Sequence, residues 1–371
     1  MTHAFRAVAG QPAGLAAAVD HDDPAAKLGT ASTTHLQGTA RRGFLVRSAL
    51  ASAAACLPAW SAAADAASAP AARADKANAG SALIRPLATR SLVLAVIRAG
   101  ARLVAVGERG HVLLSDDEGK QWRQAKAVPT RNTLTCLHAV DATHLWAAGH
   151  AGTLLRSGDA GESWQAVASP AKERDVLLSI HIEPDGRGLA VGGFGLALST
   201  NDGGEHWQAV ELIAGEQGER HLNRIFVSEP GSWLIAAEGG HMLRSEDRGA
   251  SWKAIKTPYA GSLWSGLALP GGALLACGMR GNIVRSSDDG RSWTHQAVAG
   301  AGSLTGAVML PDRRIVLVGV DGTLLTGQAD AQQFTLHRQD DRATLNAAVL
   351  LRTGELAVAS AAGLRVLVVP G

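Results

Sequence analysis

The chain has 371 residues, a length that fits one large domain or two ordinary ones. Its 43 glycines, five phenylalanines and single tyrosine, among 46% hydrophobic residues, favour many short strands joined by tight turns. Beyond residue 64 the basic and acidic side chains balance at 30 each, which excludes nucleic acid as the general partner, and the three cysteines have no zinc or disulfide spacing.

Residues 1–64 have the features of an export signal. Arg41 and Arg42 form a twin-arginine pair that is followed by x-Phe-Leu and by a moderately apolar, alanine-rich stretch. This pattern resembles a Tat signal peptide, and its apolar stretch is shorter than the ~20 residues that a membrane-spanning helix needs. The sequence therefore predicts export to the periplasm. A lipoprotein signal acylated at Cys56 is the alternative, although Ala53 stands where leucine is usual.

Further along the chain, the pattern Ser/Thr-x-Asp-x-Gly-x-x-Trp occurs five times, at steps of 42, 43, 45 and 41 residues. The hydroxyl and carboxylate can bond the backbone of a tight turn, glycine takes the positive φ, and tryptophan packs beneath. We therefore interpret the pattern as a structural device. Its aspartates and tryptophans are Asp117, Asp159, Asp202, Asp247, Asp288, Trp122, Trp164, Trp207, Trp252 and Trp293.

A second feature, an apolar strand that ends in a glycine-containing turn, recurs seven times. Four short strands in ~40 residues is the period of a propeller blade. We therefore predict an all-β fold in which residues 81–371 form one seven-bladed β-propeller of four-stranded antiparallel blades, after a flexible leader over 65–80. The last repeat lacks a fourth strand, so Ala82 to Leu87 is expected to pair with Leu364 to Val369 and complete that blade.

The five octapeptides resemble those of the Asp-box (BNR) repeat proteins. A closer resemblance, over about residues 85–370, is to the photosystem II stability and assembly factor family of seven-bladed propellers. Two runs carry it: Ala105 to Gly110 with the box from Ser115, and Cys277 to Gly281 with the box from Ser286. The resemblance implies a protein-binding assembly scaffold that uses an arginine patch on one propeller face.

The alternative that the Asp-boxes suggest is a sialidase-like or other glycoside hydrolase. In that class the resemblance implies an arginine triad, a Tyr-Glu nucleophile pair and an acidic general acid. Tyr259 is the single tyrosine of the sequence, and it follows Pro258 in a predicted loop between blades. We therefore name no catalytic residue.

Loops between second and third strands emerge on the same face as the connections between blades, and function usually lies on such loops. This face carries the predicted binding residues Arg109, Arg131, Arg174, Arg220, Arg280, His111 and His241. An arginine-rich face suits recognition of an acidic peptide or carboxylate. The alternative is that these arginines are ordinary solvated residues, some of them paired with Glu108, Glu173, Glu219 and Asp341.

Partners and buried groups can also be predicted from the sequence. We expect a membrane or periplasmic protein as partner, a monomeric chain, no transmembrane segment after signal removal, and neither cofactor nor metal site. Trp146, Trp233 and Trp264 are expected in the core between blades, and Cys136 and Cys277 as buried free thiols.

Overall fold

A computed structural model describes residues 80–215, 218–328 and 330–371. The predicted signal, with Arg41 and Arg42, and nearly all of the predicted leader lie outside this part of the chain. The described residues form seven antiparallel sheets, which confirms the prediction of an all-β, seven-bladed propeller. No helix in these segments is long and apolar enough to cross a membrane.

The strands follow one another within each blade from the centre outward. Their bounds, blade by blade, are β1 (Val93–Ala99), β2 (Arg102–Gly107), β3 (Val112–Ser115) and β4 (Arg123–Gln124); β5 (Leu134–Ala139), β6 (Leu145–Gly149), β7 (Leu154–Ser157) and β8 (Gln165–Ala166); β9 (Leu177–Ile182), β10 (Gly188–Gly192), β11 (Ala197–Thr200) and β12 (Gln208–Ala209); β13 (Leu222–Val227), β14 (Trp233–Ala237), β15 (His241–Ser245) and β16 (Lys253–Lys256); β17 (Leu263–Ala268), β18 (Leu274–Gly278), β19 (Asn282–Ser286) and β20 (Thr294–Ala297); β21 (Leu304–Met309), β22 (Ile315–Gly319), β23 (Thr323–Gly327) and β24 (Phe334–Arg338); β25 (Leu345–Leu350), β26 (Leu356–Ser360) and β27 (Gly363–Leu367). The described helical segments are 3₁₀ turns at Ala88–Arg90, Glu108–Gly110, Gly193–Gly195, Glu238–Gly240, Pro270–Gly272 and Met279–Gly281.

The core lies between neighbouring blades. The second strand of each blade is buried along its whole length or nearly so, because both faces of each sheet pack against another sheet. Val104 of blade 1 packs with Leu137 and Trp164 of blade 2, and Val191 of blade 3 packs with Ile225 and Trp233 of blade 4. Cys136 and Cys277 are buried free thiols, as the sequence predicted.

The octapeptides form turns between the third and fourth strands of a blade. In the third one, Thr200 Oγ1 donates to Asp202 Oδ1 (2.8 Å), and the Gly204 N–H donates to Thr200 Oγ1 (3.0 Å). Gly204 has φ +86°, and a Cβ atom there would lie 2.3 Å from the Trp146 ring. Glycine is therefore required at this position both by the backbone and by the packing.

The predicted closure of the ring by the N-terminal segment is wrong. Blade 7 has three strands, and residues 82–87 are not paired with β27. The segment lies on blade 1 instead, where the Ala82 N–H donates to the Val128 carbonyl oxygen (2.9 Å) and the Arg85 N–H to Gln124 Oε1 (2.5 Å). Pro86 has no N–H to donate to a strand ladder, which is one physical reason that the segment does not continue as a strand.

Side chains join blade 7 to blade 1. Asn346 Nδ2 donates to the Val93 carbonyl oxygen (2.7 Å), and Arg98 forms a two-bonded ion pair with Glu118 (2.9 and 2.6 Å). Glu118 also accepts the N–H of Arg352 from blade 7 (2.9 Å). The hydrogen bonds from Arg98 hold the pKa of Glu118 near 2, below its ordinary value. The first and last blades are thus joined by side chains across their interface.

Asn346 belongs to a repeated feature, a β-bulge at the second residue of every inner strand. Where that residue is polar, its side chain bonds the first strand of the next blade. Thr135 donates to the Leu177 carbonyl oxygen, and Asn223 donates to that of Leu263 (2.8 Å). The bulges therefore link blades around the central channel.

Removing residues 1–87 should lower the free energy of unfolding by only about 1–2 kcal/mol relative to removing residues 1–79. The deletion removes a few exposed hydrogen bonds but no strand of the propeller. Urea unfolding of the two truncated proteins measures the difference. A loss above about 4 kcal/mol would show that the segment is an integral part of the ring.

Candidate binding face

The propeller has two distinct faces. The turn face carries the turns between second and third strands, together with the connections between blades. The box face carries the Asp-box turns. Five of the turns on the turn face hold a non-glycine residue on left-handed backbone, with φ values of 57° at Arg109, 56° at Ala151, 53° at Phe194, 56° at Arg280 and 57° at Asp321. Such backbone costs about 1 kcal/mol or more at a non-glycine residue, and it is often associated with function.

The structure brings two predicted arginines together with a third that the sequence analysis did not select. Arg109, Arg131, His111 and Arg85 line one small cavity of about 110 Å³ at blades 1 and 2. Arg131 Nε donates to the Ser81 carbonyl oxygen (2.9 Å), so the N-terminal segment forms one wall. Three arginines therefore lie around one cavity on the turn face.

His111 lies behind these arginines and is buried. Burial lowers its pKa, and the charges of Arg109 and Arg85 act in the same direction, against the opposing effect of Glu108. Its Nδ1 atom is buried without a hydrogen-bond partner among the described residues. The imidazole is therefore neutral at pH 7, and the positive charge at this cavity comes from the arginines.

The other predicted residues lie in separate places around the ring. His241 is buried, and its pKa is lowered by burial and then by the charge of Arg220 beside it. Arg174 lies in the connection that leads to blade 3 and is exposed. Arg280 is exposed at the tip of a blade 5 turn, close to Tyr259. The predicted residues thus form no single cluster but are spread over the turns and connections of blades 1 to 5.

The five predicted arginines of the turn face differ in ion pairing from the arginines of the box face, whereas Arg342, also on the turn face, pairs with Asp321 (3.1 Å). On the box face Arg102 pairs with Asp116 (2.6 Å) and Arg248 with Asp185 (2.7 Å). The five predicted arginines of the turn face have no carboxylate oxygen within 4 Å in the described part of the chain, and Asp341, one of the expected partners, pairs with Arg365 instead. The turn face therefore presents arginine charges that other groups can bind.

Phe194 is a surface feature that the sequence analysis missed. Its side chain is 81% exposed, although phenylalanine is usually buried, and its ring centroid lies 4.5 Å from that of His221. The two rings line a pocket of about 780 Å³ together with Arg174. Its place in the turn, equivalent to Arg109 and Arg280, is the signal that could have identified it. An exposed aromatic ring beside an arginine is a typical anchor for a protein partner.

These features define a seven-bladed Asp-box β-propeller with a basic, partly aromatic loop face. Residues 162–344 match the family model described as Photosynthesis system II assembly factor YCF48. The comparison with curated proteins gives no match.

Solved structures share the fold at low sequence identity. A structure of YCF48 bound to D1 peptide is 18% identical with a TM-score of 0.61, and the match covers 78% of this chain and 96% of that one. YCF48 from Cyanidioschyzon merolae is 16% identical with a TM-score of 0.59, at 78% and 98% coverage. A streptogramin B lyase is 12% identical with a TM-score of 0.65, also at 78% and 98% coverage. At these identities the similarity establishes the fold and not the activity.

Proposed function

We propose that this protein is a non-enzymatic assembly scaffold that binds an acidic peptide segment of a membrane or periplasmic protein on its turn face. The observation that carries the proposal is the set of arginines on that face that have no ion-pair partner among the described residues. Guanidinium groups recognise carboxylates through paired hydrogen bonds, and Phe194 supplies an apolar contact beside them. The solved YCF48 with a bound D1 peptide supports a peptide as the type of ligand.

The structure gives no support to the glycoside hydrolase alternative. Tyr259, the only tyrosine of the sequence, donates its hydroxyl to the Met279 carbonyl oxygen (3.2 Å) and stacks on His295. In the described residues no carboxylate accepts that hydroxyl, so the Tyr-Glu pair that such an enzyme needs is not formed by these groups.

Affinity capture from solubilised membranes tests the scaffold proposal. Glu substitution at Arg109, Arg131, Arg174 and Arg280 should weaken capture of the partner about tenfold or more, because it replaces attraction by repulsion over the whole face. Folding should survive, since these side chains are exposed and the described residues give them no ion pair to lose.

The matched control carries the same charge change on or near the box face, with Glu at the exposed residues Lys120, Lys253, Arg291 and Arg313. This control should capture the partner as the wild type does. Equal capture by both variants would remove the turn face as the site. Equal loss would show that only net charge matters.

We also propose that the protein acts outside the cytoplasm after Tat export. Lys substitution at both Arg41 and Arg42 should retain the protein in the cytoplasm, because the twin-arginine pair is the recognised feature of such signals. Cell fractionation and immunoblotting measure the distribution. Unchanged export in a strain that lacks the Tat translocase would contradict this proposal.

A further inference from the structure

The central channel contains a cavity of about 340 Å³ that the proposed function does not use. The first halves of the inner strands line it, and the bulged residue of several of these strands takes part. Trp264 is one of these lining residues and is half-buried, so its predicted place in the core between blades is wrong, whereas Trp146 and Trp233 are buried as expected. The lining combines an indole and aliphatic side chains with the amide groups of Asn223 and Asn346.

Arg224 is the one charged residue of this lining. The residue belongs to β13, just after the bulge at Asn223, and its side chain is exposed to the channel. No lining residue is a carboxylate, and Arg224 has no ion-pair partner in the described segments. A positive charge enclosed by seven sheets thus lacks a counter-charge from the part of the protein that the structure describes.

Three ionisable groups on which the charge of Arg224 acts do not supply that counter-charge. Burial raises the pKa of the Cys136 thiol to about 11 and lowers the pKa values of His138 and His181 to about 4. All three are therefore neutral at pH 7. The side chain of Arg224 is open to the channel, but the surrounding inner strands partly desolvate it and thereby lower its pKa; it stays protonated because arginine titrates far above neutral pH.

Removing a cation from bulk water without a partner costs free energy, and an anion that enters the channel can recover part of it. We propose that the channel is a binding site for a small organic monocarboxylate, with Arg224 holding the carboxylate. One guanidinium matches one negative charge, and its planar fork fits a carboxylate. The apolar part of such a ligand can contact Trp264, Leu94 and Leu178. A hydrated phosphate dianion would not use these contacts.

Titration calorimetry with benzoate as the probe tests this site. Benzoate should bind the wild-type protein, and Arg224→Gln should weaken its binding about tenfold or more because the ion pair is lost. Arg313→Gln, a change to an exposed arginine on the box face outside the channel lining, should leave benzoate binding unchanged. Benzamide, which has the same shape without the charge, should bind far more weakly than benzoate.

Several outcomes would overturn the proposal. They are the absence of benzoate binding at millimolar concentration, equal binding of benzamide, tighter binding of inorganic phosphate, and unchanged affinity in a folded Arg224→Gln protein. If Arg224→Gln fails to fold by circular dichroism, Arg224→Lys provides the second test: it keeps the charge but loses the fork, so benzoate affinity should fall and not vanish. The inference does not depend on the proposed function, because capture of a partner on the turn face should survive Arg224→Gln.

Discussion

At pH 5 the protein should be about 4 kcal/mol less stable toward urea unfolding than at pH 7.5, because two largely buried histidines resist protonation in the folded state. His138 donates to the Ile182 carbonyl oxygen (2.7 Å), and its ring centroid lies 4.9 Å from that of His181. His181 in turn packs edge-on against Trp233. Burial is the main cause that lowers both pKa values to about 4.

The sign of the effect follows from the two states. The unfolded chain binds a proton at each histidine near pH 6.5, whereas the folded chain does so only near pH 4. Between these pH values the unfolded state holds more protons, so stability falls as the pH falls, by about 2 kcal/mol for each histidine at pH 5. Carboxylates with lowered pKa values also reduce the folding stability on acidification, but mainly near pH 4 and below.

Urea unfolding of the wild type at both pH values measures this loss. The double variant His138→Gln with His181→Gln is the control, and between pH 7.5 and pH 5 it should lose much less stability than the wild type. The loss that remains comes from His111 and His241, whose pKa values burial also lowers. A wild-type protein with the same stability at both pH values would contradict the account of two neutral, buried histidines.

The second large effect is expected from Arg244→Ala, which should cost about 3–5 kcal/mol of unfolding free energy. Arg244 is 5% exposed and connects blade 4 to the box of blade 5. It donates to Asp289 Oδ2 (2.5 Å), to the Asp289 carbonyl oxygen (2.5 Å) and to Ser232 Oγ (3.1 Å). Its removal would leave the buried Asp289 charge without its ion-pair partner, on backbone that already has φ +59°.

Arg123→Ala is the matched control for this prediction. Arg123 also pairs with carboxylates of two boxes, Asp116 and Glu162, but its side chain is 45% exposed. Its loss should cost less than about 1 kcal/mol, since water replaces the partner. Similar losses for the two variants in urea unfolding would show that burial of the Arg244 pair does not decide its contribution.

The blades could be predicted from the sequence because each repeats the same local chemistry. The Asp-box needs a hydroxyl, a carboxylate, glycine and tryptophan at fixed spacing, so Ser115 and its four equivalents mark the blades directly. The closure of the ring could not be predicted in this way. The apolar residues Leu83, Ile84 and Leu87 suggest a strand, yet all three are exposed, and Pro86 interrupts the run of N–H donors.

The directions in which side chains point on the turn face and in the channel could not be predicted from the sequence. A bulge adds one residue to a strand and reverses the inward and outward alternation beyond it, so the bulge at Asn223 decides where Arg224 points. Phe194 was missed for a related reason, because its exposure follows from left-handed backbone in a turn and not from residue type. Arg85 reaches the basic cavity only because the N-terminal segment lies on blade 1.

Site-specific photocrosslinking tests the central claim, that the turn face holds the partner, most directly. A photoreactive phenylalanine analogue replaces Phe194 on the turn face in one protein and exposed Lys120 on the box face in the other. After illumination with solubilised membranes, the analogue at position 194 should form a crosslink to one membrane or periplasmic protein, and the analogue at position 120 should not. A crosslink from position 120 alone, with none from position 194, would contradict the account.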